Sequence, residues 1–464
     1  MKRKRRPVVP FFISILLVGS IACGLWMWYD RNVDRSGWAE RDGVRFYQDF
    51  YGDPVSGWLD IGGARYHFND DGTPQTSWQE IGGVTYYFQE DGAMATGWQE
   101  LEGKTYYFAG NGTMVDGWLY LETGYYYLNK GVLATGWQDI DGKRHYFDEN
   151  GVMAVGFTQI GGNTYYFDEE GVLLTGRETI NERIFYFGDD GVMRTGWDET
   201  DEGRRYYYED GPMARGWTHI GEELYYFQED GLLYTGWLTL GEYSYYLHSD
   251  GHAATGPTEI DGQLHYFTPK GIEIVLVNAK NPVPDYYTRN LKNVVGYHDV
   301  DERCYDALTQ MLADCSAAGI SYNFNSAYRT IKEQAEILEL RTAEHMQTYD
   351  LNYTDAKAKA LETVALPGTS EHHLGLAVDL LGKEAIAWFQ EHCWDYGFIL
   401  RYTAEKYPIT GIIDEPWHFR YVGWEVAQDI KASGLCLEEY LGAEAVKPDA
   451  VPSADIPVST DNIE

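Results

Sequence analysis

The chain has 464 residues, enough for two or three domains and a substantial core. Its 72 acidic residues outnumber 36 basic ones, and a formal net charge of -36 argues against nucleic acid or an anionic membrane surface as the main partner. Glycine (51) and tyrosine (39) are both abundant, as expected of a repeated, turn-rich, tyrosine-lined architecture.

Residues 1–7 include the basic run Lys2-Arg3-Lys4-Arg5-Arg6, and residues 8–29, from Val8 to Tyr29, carry no charge. At about 1.5 Å of rise per residue, that apolar segment spans a bilayer core of roughly 30 Å. The basic flank predicts a cytoplasmic tail, with everything after residue 29 outside the cell. A cleaved signal peptide is the alternative, because Ser20, Ala22 and Gly24 are small. Leu25-Trp26-Met27-Trp28 continues the apolar stretch past such a cut and favours an uncleaved, single-pass anchor.

Residues 30–272 repeat with a step of 20, broken once by a step of 19 between 117 and 136. Gly-Trp recurs at 37, 57, 97, 117, 136, 196, 216 and 236, and Ser77-Trp78, Gly156-Phe157, Gly176-Arg177 and Gly256-Pro257 fill the other slots. Triplets such as Tyr86-Tyr87-Phe88 and Tyr165-Tyr166-Phe167 lie between these marks. Ile81-Gly82-Gly83 and Ile140-Asp141-Gly142 supply tight turns. Each unit reads as a short hairpin that cannot bury its own aromatic face, so successive hairpins stack into a β-solenoid. The units resemble the cell-wall-binding repeats of Gram-positive surface proteins. That resemblance implies wall attachment, through choline of teichoic acid held in aromatic cages or through wall polysaccharide. The choline-binding form carries a third aromatic before the Tyr-Tyr pair. Here Thr85, Thr105, Arg144, Thr164, Ile184, Arg205, Leu224 and Ser244 stand there, and only Tyr125 is aromatic.

Residues 273–442 read as an α+β domain, opened by Asn281-Pro282 and Pro284. Helices are predicted over Glu302–Ala318, from Thr330 to about Arg341, and over Lys383–Trp394. Strands are predicted over Leu376–Leu380 and Phe419–Val422. Residues 443–464, rich in Pro, Ser and Asp, predict a disordered tail. Cys304, Cys315, Cys393 and Cys436 allow three pairings or free thiols, and no Cys-x-x-Cys spacing suggests a thiolate metal site.

This domain also carries the chemistry. Ser370-Glu371-His372-His373-Leu374-Gly375-Leu376-Ala377-Val378-Asp379 is answered by Glu415-Pro416-Trp417-His418. Two imidazoles and a carboxylate can hold a zinc ion on three sides and leave a fourth position open, the mark of a catalytic site. Glu415, three residues before His418, is placed to take a proton from water.

With Ser326-Ala327-Tyr328-Arg329, Tyr396-Gly397-Phe398 and Phe419-Arg420-Tyr421-Val422-Gly423 in the same order, the domain resembles the VanY-type D-alanyl-D-alanine carboxypeptidases. The resemblance implies a zinc peptidase acting on peptidoglycan stem peptides. It assigns His372, Asp379 and His418 to the metal, Glu415 to general base catalysis, and Arg329 to the oxyanion. Ser370, Trp417, Tyr328 and Gln334 become candidates for substrate contact, Gln334 more as a brace. His373, next to a ligand, faces the other way if the segment is extended. The expected reaction is removal of the terminal D-Ala from the pentapeptide stem. An L,D-carboxypeptidase acting on the tetrapeptide and a non-catalytic wall-binding protein are the alternatives. Such an enzyme would face outward from the membrane of a Gram-positive bacterium, against its wall.

Overall fold

The computed structural model describes residues 33–447. The basic tail 1–7, the expected membrane segment 8–29 and the chain beyond residue 447 lie outside the described residues. Among the described residues no helix is long and apolar enough to cross a membrane. The described residues divide into two compact units, with the boundary after Arg194. Both contain hairpin repeats, and the second also holds the C-terminal α+β body.

In the first unit each repeat is a pair of short antiparallel strands, as in Ser77–Ile81 with Val84–Phe88. The turn between them needs two residues of positive φ, which Gly82 (64°) and Gly83 (81°) supply. A lone hairpin is marginal in water, and stacking compensates. Trp78 lies edge-on to Tyr87 of its own hairpin (5.2 Å between centroids) and to Tyr106 of the next (4.9 Å). The last ring of each triplet, such as Phe88, Phe108 or Phe167, is wholly buried. Gly112 shows why glycine marks the second turn: a Cβ there would meet the Met94 sulfur at 2.2 Å, and its φ is 83°.

The second unit begins with four more hairpins, at 196–207, 216–227, 236–247 and 256–267. Its body contains α1 (Glu302–Ala317), β1 (Asn323–Ser326), α2 (Ile331–Tyr349), α3 (Tyr353–Ala360), β2 (Ala377–Leu381) and α4 (Lys383–His392). After these come β3 (Phe398–Tyr402), β4 (Glu415–Tyr421), α5 (Trp424–Ser433) and α6 (Leu437–Tyr440). The four strands form one antiparallel sheet in the order β1-β2-β4-β3. Leu308, Met311 and Leu312 of α1 and Phe389 of α4 pack with Val378, Leu380, Phe398 and Phe419 of the sheet.

A second core joins the last hairpins to this body. Tyr245, Leu247, Tyr266, Ile272 and Ile274 share it with Ile399, Val422, Val426, Ile430, Leu437 and Leu441. The hairpins at 236–247 and 256–267 are therefore packed into the body as well as into the stack.

The predicted helix α1 and strand β2 fall within a residue of expectation. Helix α2 runs eight residues past Arg341 and stops where Asp350 turns left-handed (φ 55°). Helix α4 ends at His392, and a 3-10 turn, Cys393–Tyr396, follows. Strand β4 starts at Glu415, ahead of the predicted Phe419, and so carries the whole Glu415-Pro416-Trp417-His418 segment. The tail does not detach at 443: Val446 and Lys447 donate backbone hydrogen bonds to Ile409 and Pro408. Among the described residues, Cys304, Cys315, Cys393 and Cys436 are buried free thiols. Burial pushes Cys304 and Cys393 up to about 12, far from thiolate reactivity.

Candidate metal centre

The sheet brings the acid and one imidazole together through register alone. Asp379 on β2 stands opposite His418 on β4, and its Oδ1 lies 2.9 Å from His418 Nδ1. His372 arrives from a 3-10 turn, Glu371–Leu374, that ends at Gly375. Gly375 has a φ of 74°, and a Cβ there would meet the Asp301 backbone nitrogen at 3.0 Å. Because the segment is a turn, the extended alternation expected at His372 and His373 does not apply. His373 instead faces Arg329: its Nδ1 donates to the Arg329 carbonyl (2.8 Å), and its Nε2 accepts from the Gly368 N–H (3.1 Å).

The two imidazoles present opposite nitrogens. His372 Nδ1 lies 2.6 Å from the Ala327 carbonyl, which must accept its proton. Nε2 then carries the lone pair; it is buried, lacks a hydrogen-bond partner, and sits 3.1 Å from Asp379 Oδ2. His418 is reversed, with Nε2 3.4 Å from Glu371 Oε2 and Nδ1 turned to Asp379. Ligand atoms of His372, Asp379 and His418 lie within 4.8 Å of one another. Lone pairs converging this closely repel unless positive charge lies among them. A divalent cation that accepts nitrogen and oxygen donors fits the set.

The charges point the same way. Burial and the Arg329 charge lower His372 to about 4, so it stays neutral. Burial opposes protonation of His418, but Asp379 and Glu371 outweigh it and raise the imidazole to about 9. Burial, with Asp379 nearby, pushes the Glu415 carboxyl up to about 8 despite His418 and Arg329. Without a metal, protons supply the positive charge that this cluster requires.

These groups line one cavity of about 350 Å³. Glu415 lies 3.8 Å from His418 Nδ1. Arg329 lines the same wall, its Nε buried and without a hydrogen-bond partner. Ser370, Trp417 and Gln334 are also lining residues. Gln334 donates to the Ala365 carbonyl (2.8 Å) and leaves Oε1 buried and unpaired. Tyr328 is the exception. It borders a neighbouring groove with its ring 5.4 Å from the Arg289 guanidinium, and it is not part of the cavity lining.

Sequence reasoning missed the supports. Glu371 is fully buried, bonded by Arg401 Nε at 2.8 Å and contacted by Arg420 Nη1 at 3.2 Å. The Arg420 contact lacks hydrogen-bond geometry and is ionic. Arg401 also grips Glu438 of α6 with both terminal nitrogens (2.9 and 2.6 Å). The Tyr402 ring lies against His418, with centroids 4.9 Å apart and planes tilted by 50°. The position of Glu371, directly before His372, was the one available signal.

Comparison with known proteins gives matches for both parts. A D-alanyl-D-alanine carboxypeptidase family profile, VanY, matches residues 297–424. Choline-binding repeat profiles match 75–100, 95–132, 134–174 and 174–216, and a putative cell wall binding repeat matches 56–73. A D-alanyl-D-alanine carboxypeptidase of Enterococcus faecalis is 43% identical over 180 residues, covering 37% of this chain and 66% of its own length. The chain spans 57% of a second such enzyme, from Enterococcus faecium. The putative carboxypeptidase YodJ of Bacillus subtilis is 30% identical over 205 residues, covering 39% of this chain and 71% of that protein. Among solved structures, the vancomycin resistance D,D-pentapeptidase VanY in complex with Zn(II) is 41% identical, covering 36% of this chain and 97% of that one (TM-score 0.35). Choline binding protein F of Streptococcus pneumoniae is 26% identical, covering 52% and 98% (TM-score 0.35).

Proposed function

We propose, from the premise that this chain belongs to the VanY family of D-alanyl-D-alanine carboxypeptidases, that it removes the terminal D-Ala from peptidoglycan pentapeptide stems. The observation that carries this reading is the convergence of His372, Asp379, His418, Glu415 and Arg329 on one cavity.

His372 through Nε2, Asp379 through its carboxylate and His418 through Nδ1 would hold a zinc ion. Bound there, zinc supplies Lewis acidity, which makes water more acidic and polarises the scissile carbonyl. Glu415 takes the proton of the attacking water and delivers it to the leaving D-Ala nitrogen. Arg329, with a free N–H beside the cavity, offsets the charge that develops on the carbonyl oxygen. Ser370 and Trp417 shape the walls against which the peptide lies. The products are free D-Ala and a stem shorter by one residue.

The repeats would hold this activity against the wall, and residues 8–29 would anchor the chain in the membrane with the catalytic body outside. Trp118, Tyr120 and Tyr125 open onto a cavity of about 480 Å³ bordered by Asp141, Glu169 and Glu170, and by Lys143, which lies 3.6 Å from Glu170. Exposed rings beside carboxylates suit a quaternary ammonium such as choline.

Mass spectrometry of pentapeptide and tetrapeptide stems, incubated side by side with zinc-loaded and chelated protein, tests the reaction. Loss of one alanine from the pentapeptide alone is the expected result. Loss from the tetrapeptide alone would move the activity to the L,D class, and no zinc-dependent loss from either would overturn it.

A further inference from the structure

Four charged side chains are buried behind the metal cluster, and none of them lines a route for water or substrate to the reacting atoms except Glu371. Arg401 and Arg420 face Glu371 and Glu438, so the formal charges cancel. A buried set of this kind gives little stability over well-packed apolar side chains of the same size. Its geometry is specific, however. Arg401 spans the two carboxylates, taking Glu371 with Nε and Glu438 with Nη1 and Nη2. Glu371 Oε1 is thereby committed to Arg401 and Arg420. Oε2 is left facing His418 Nε2.

The set is closed from outside the sheet. Glu438 Oε1 also accepts from Asn278 Nδ2 (3.0 Å), and Arg420 Nη2 donates to the Val275 carbonyl (2.9 Å). Asn278 and Val275 belong to the segment that follows the last hairpin, next to Ile274 and Leu276 in the shared core. A continuous chain of buried contacts thus runs from that segment through Glu438, Arg401 and Glu371 to His418.

We propose that Glu371 is a positioning residue that keeps the His418 proton on Nε2, so that Nδ1 is the nitrogen turned to a metal ion when one is bound. Arg401, Glu438 and Asn278 hold Glu371 in place. The inference rests on the metal-site reading above and adds to it the element that sets the site: the C-terminal helix α6 and the hairpin-to-body linker. An imidazole free to flip would offer Asp379 a donor in half its orientations, and the three lone pairs would no longer converge. Partners of this kind commonly alter metal affinity by 10- to 100-fold.

The test is zinc affinity by chelator competition, with ¹⁵N NMR of the histidine ring nitrogens and the visible spectrum of Co²⁺-loaded protein, on the full chain. Glu371→Gln is expected to weaken zinc binding by about 10- to 100-fold, to lose the Nε2–H signature of His418 and to change the Co²⁺ spectrum. If Glu371→Gln does not fold, Glu438→Gln and Asn278→Ala serve as variants that touch no proposed ligand. Each should weaken zinc several-fold, and Glu438→Asp should recover part of the loss. A folded variant with a lower melting temperature but unchanged zinc affinity, tautomer and Co²⁺ spectrum would mean that the cluster is only structural, and would overturn the proposal. Failure of the wild-type chain to bind zinc would instead strike the metal-site reading itself.

Discussion

The Tyr421 hydroxyl donates to the Glu242 carboxylate across 2.8 Å, tying the strand that carries His418 to the turn of the hairpin at 236–247. Close by, a Cβ on Gly423 would meet the Tyr243 ring at 2.8 Å, so the hairpin touches the body backbone directly. Lys270 adds ion pairs to Glu425 and Asp429 (3.0 and 2.9 Å), but these are exposed and each contributes at most about 1 kcal/mol. The shared apolar core dominates the junction. Leu247→Ala, at a fully buried position in that core, should cost about 2–5 kcal/mol in chemical denaturation of the second unit. A chain starting at residue 195 should keep hydrolysing soluble peptides, whereas one starting at 273 should lose its cooperative unfolding transition. A cooperative fold in the shorter chain would refute the dependence on these hairpins.

Glu415→Gln keeps the side-chain size and leaves His372, Asp379 and His418 in place. Zinc content, measured by elemental analysis of the purified variant, should match wild type. The kcat for D-Ala release should fall by about 10²- to 10⁴-fold, the usual contribution of a positioned general base. Wild-type turnover in a zinc-replete Glu415→Gln protein would remove Glu415 from the mechanism.

Metal binding should release protons near neutral pH. In the metal-free cluster His418 titrates at about 9 and Glu415 at about 8, so both hold a proton at pH 7. A cation placed among the lone pairs competes with those protons, and about two should leave as it binds. His372, lowered to about 4, has none to lose. Apparent zinc affinity should therefore rise with pH and level off above about 9. Calorimetry in two buffers of different ionisation enthalpy reads the release directly. Identical heats in both buffers would contradict the charge distribution described for the cluster.

The candidate ligand residues were legible because spacing and residue type survive in the sequence, and register then does the rest: Asp379 and His418 are opposed on neighbouring strands. Strand β4 starts ahead of the expected Phe419 and accommodates Pro416: Glu415 still pairs with Tyr402 and His418 with Asp379. Helix α2 continues past Arg341 because no glycine or proline interrupts it there, and it stops only where Asp350 turns left-handed. Beyond the place of Glu371 directly before His372, the Glu371, Arg401, Arg420 and Glu438 cluster had no sequence signal, since charged residues are ordinarily exposed and only tertiary packing brings positions 371, 401, 420 and 438 together. The placement of Tyr328 in a neighbouring groove has a different cause. It sits beside Arg329 in sequence, but the backbone turns its ring towards Arg289.

The hairpins differ in what covers their tryptophans, and this predicts where a cationic ligand can bind. Arg45 lies 3.7 Å from the Trp38 ring centroid, Arg65 5.0 Å from Trp58 and Arg144 4.8 Å from Trp137, and in the second unit Arg204 lies 4.3 Å from Trp197. Three of these arginines also pair with an acid across the hairpin: Asp60, Asp139 and Glu199. An intramolecular cation already occupies those ring faces, so an external one must displace it and its acidic partner. Trp118 has Tyr125 at the corresponding position, and Tyr120 and Tyr125 remain 63% and 47% exposed. Tyr125→Ala should therefore weaken choline binding about tenfold in equilibrium dialysis, in line with a cation–π contribution of about 1–2 kcal/mol, while Arg144→Ala should not reduce it. Retention on isolated cell walls should fall in parallel if choline is the wall ligand. Walls that hold Tyr125→Ala as firmly as wild type would assign attachment to polysaccharide instead.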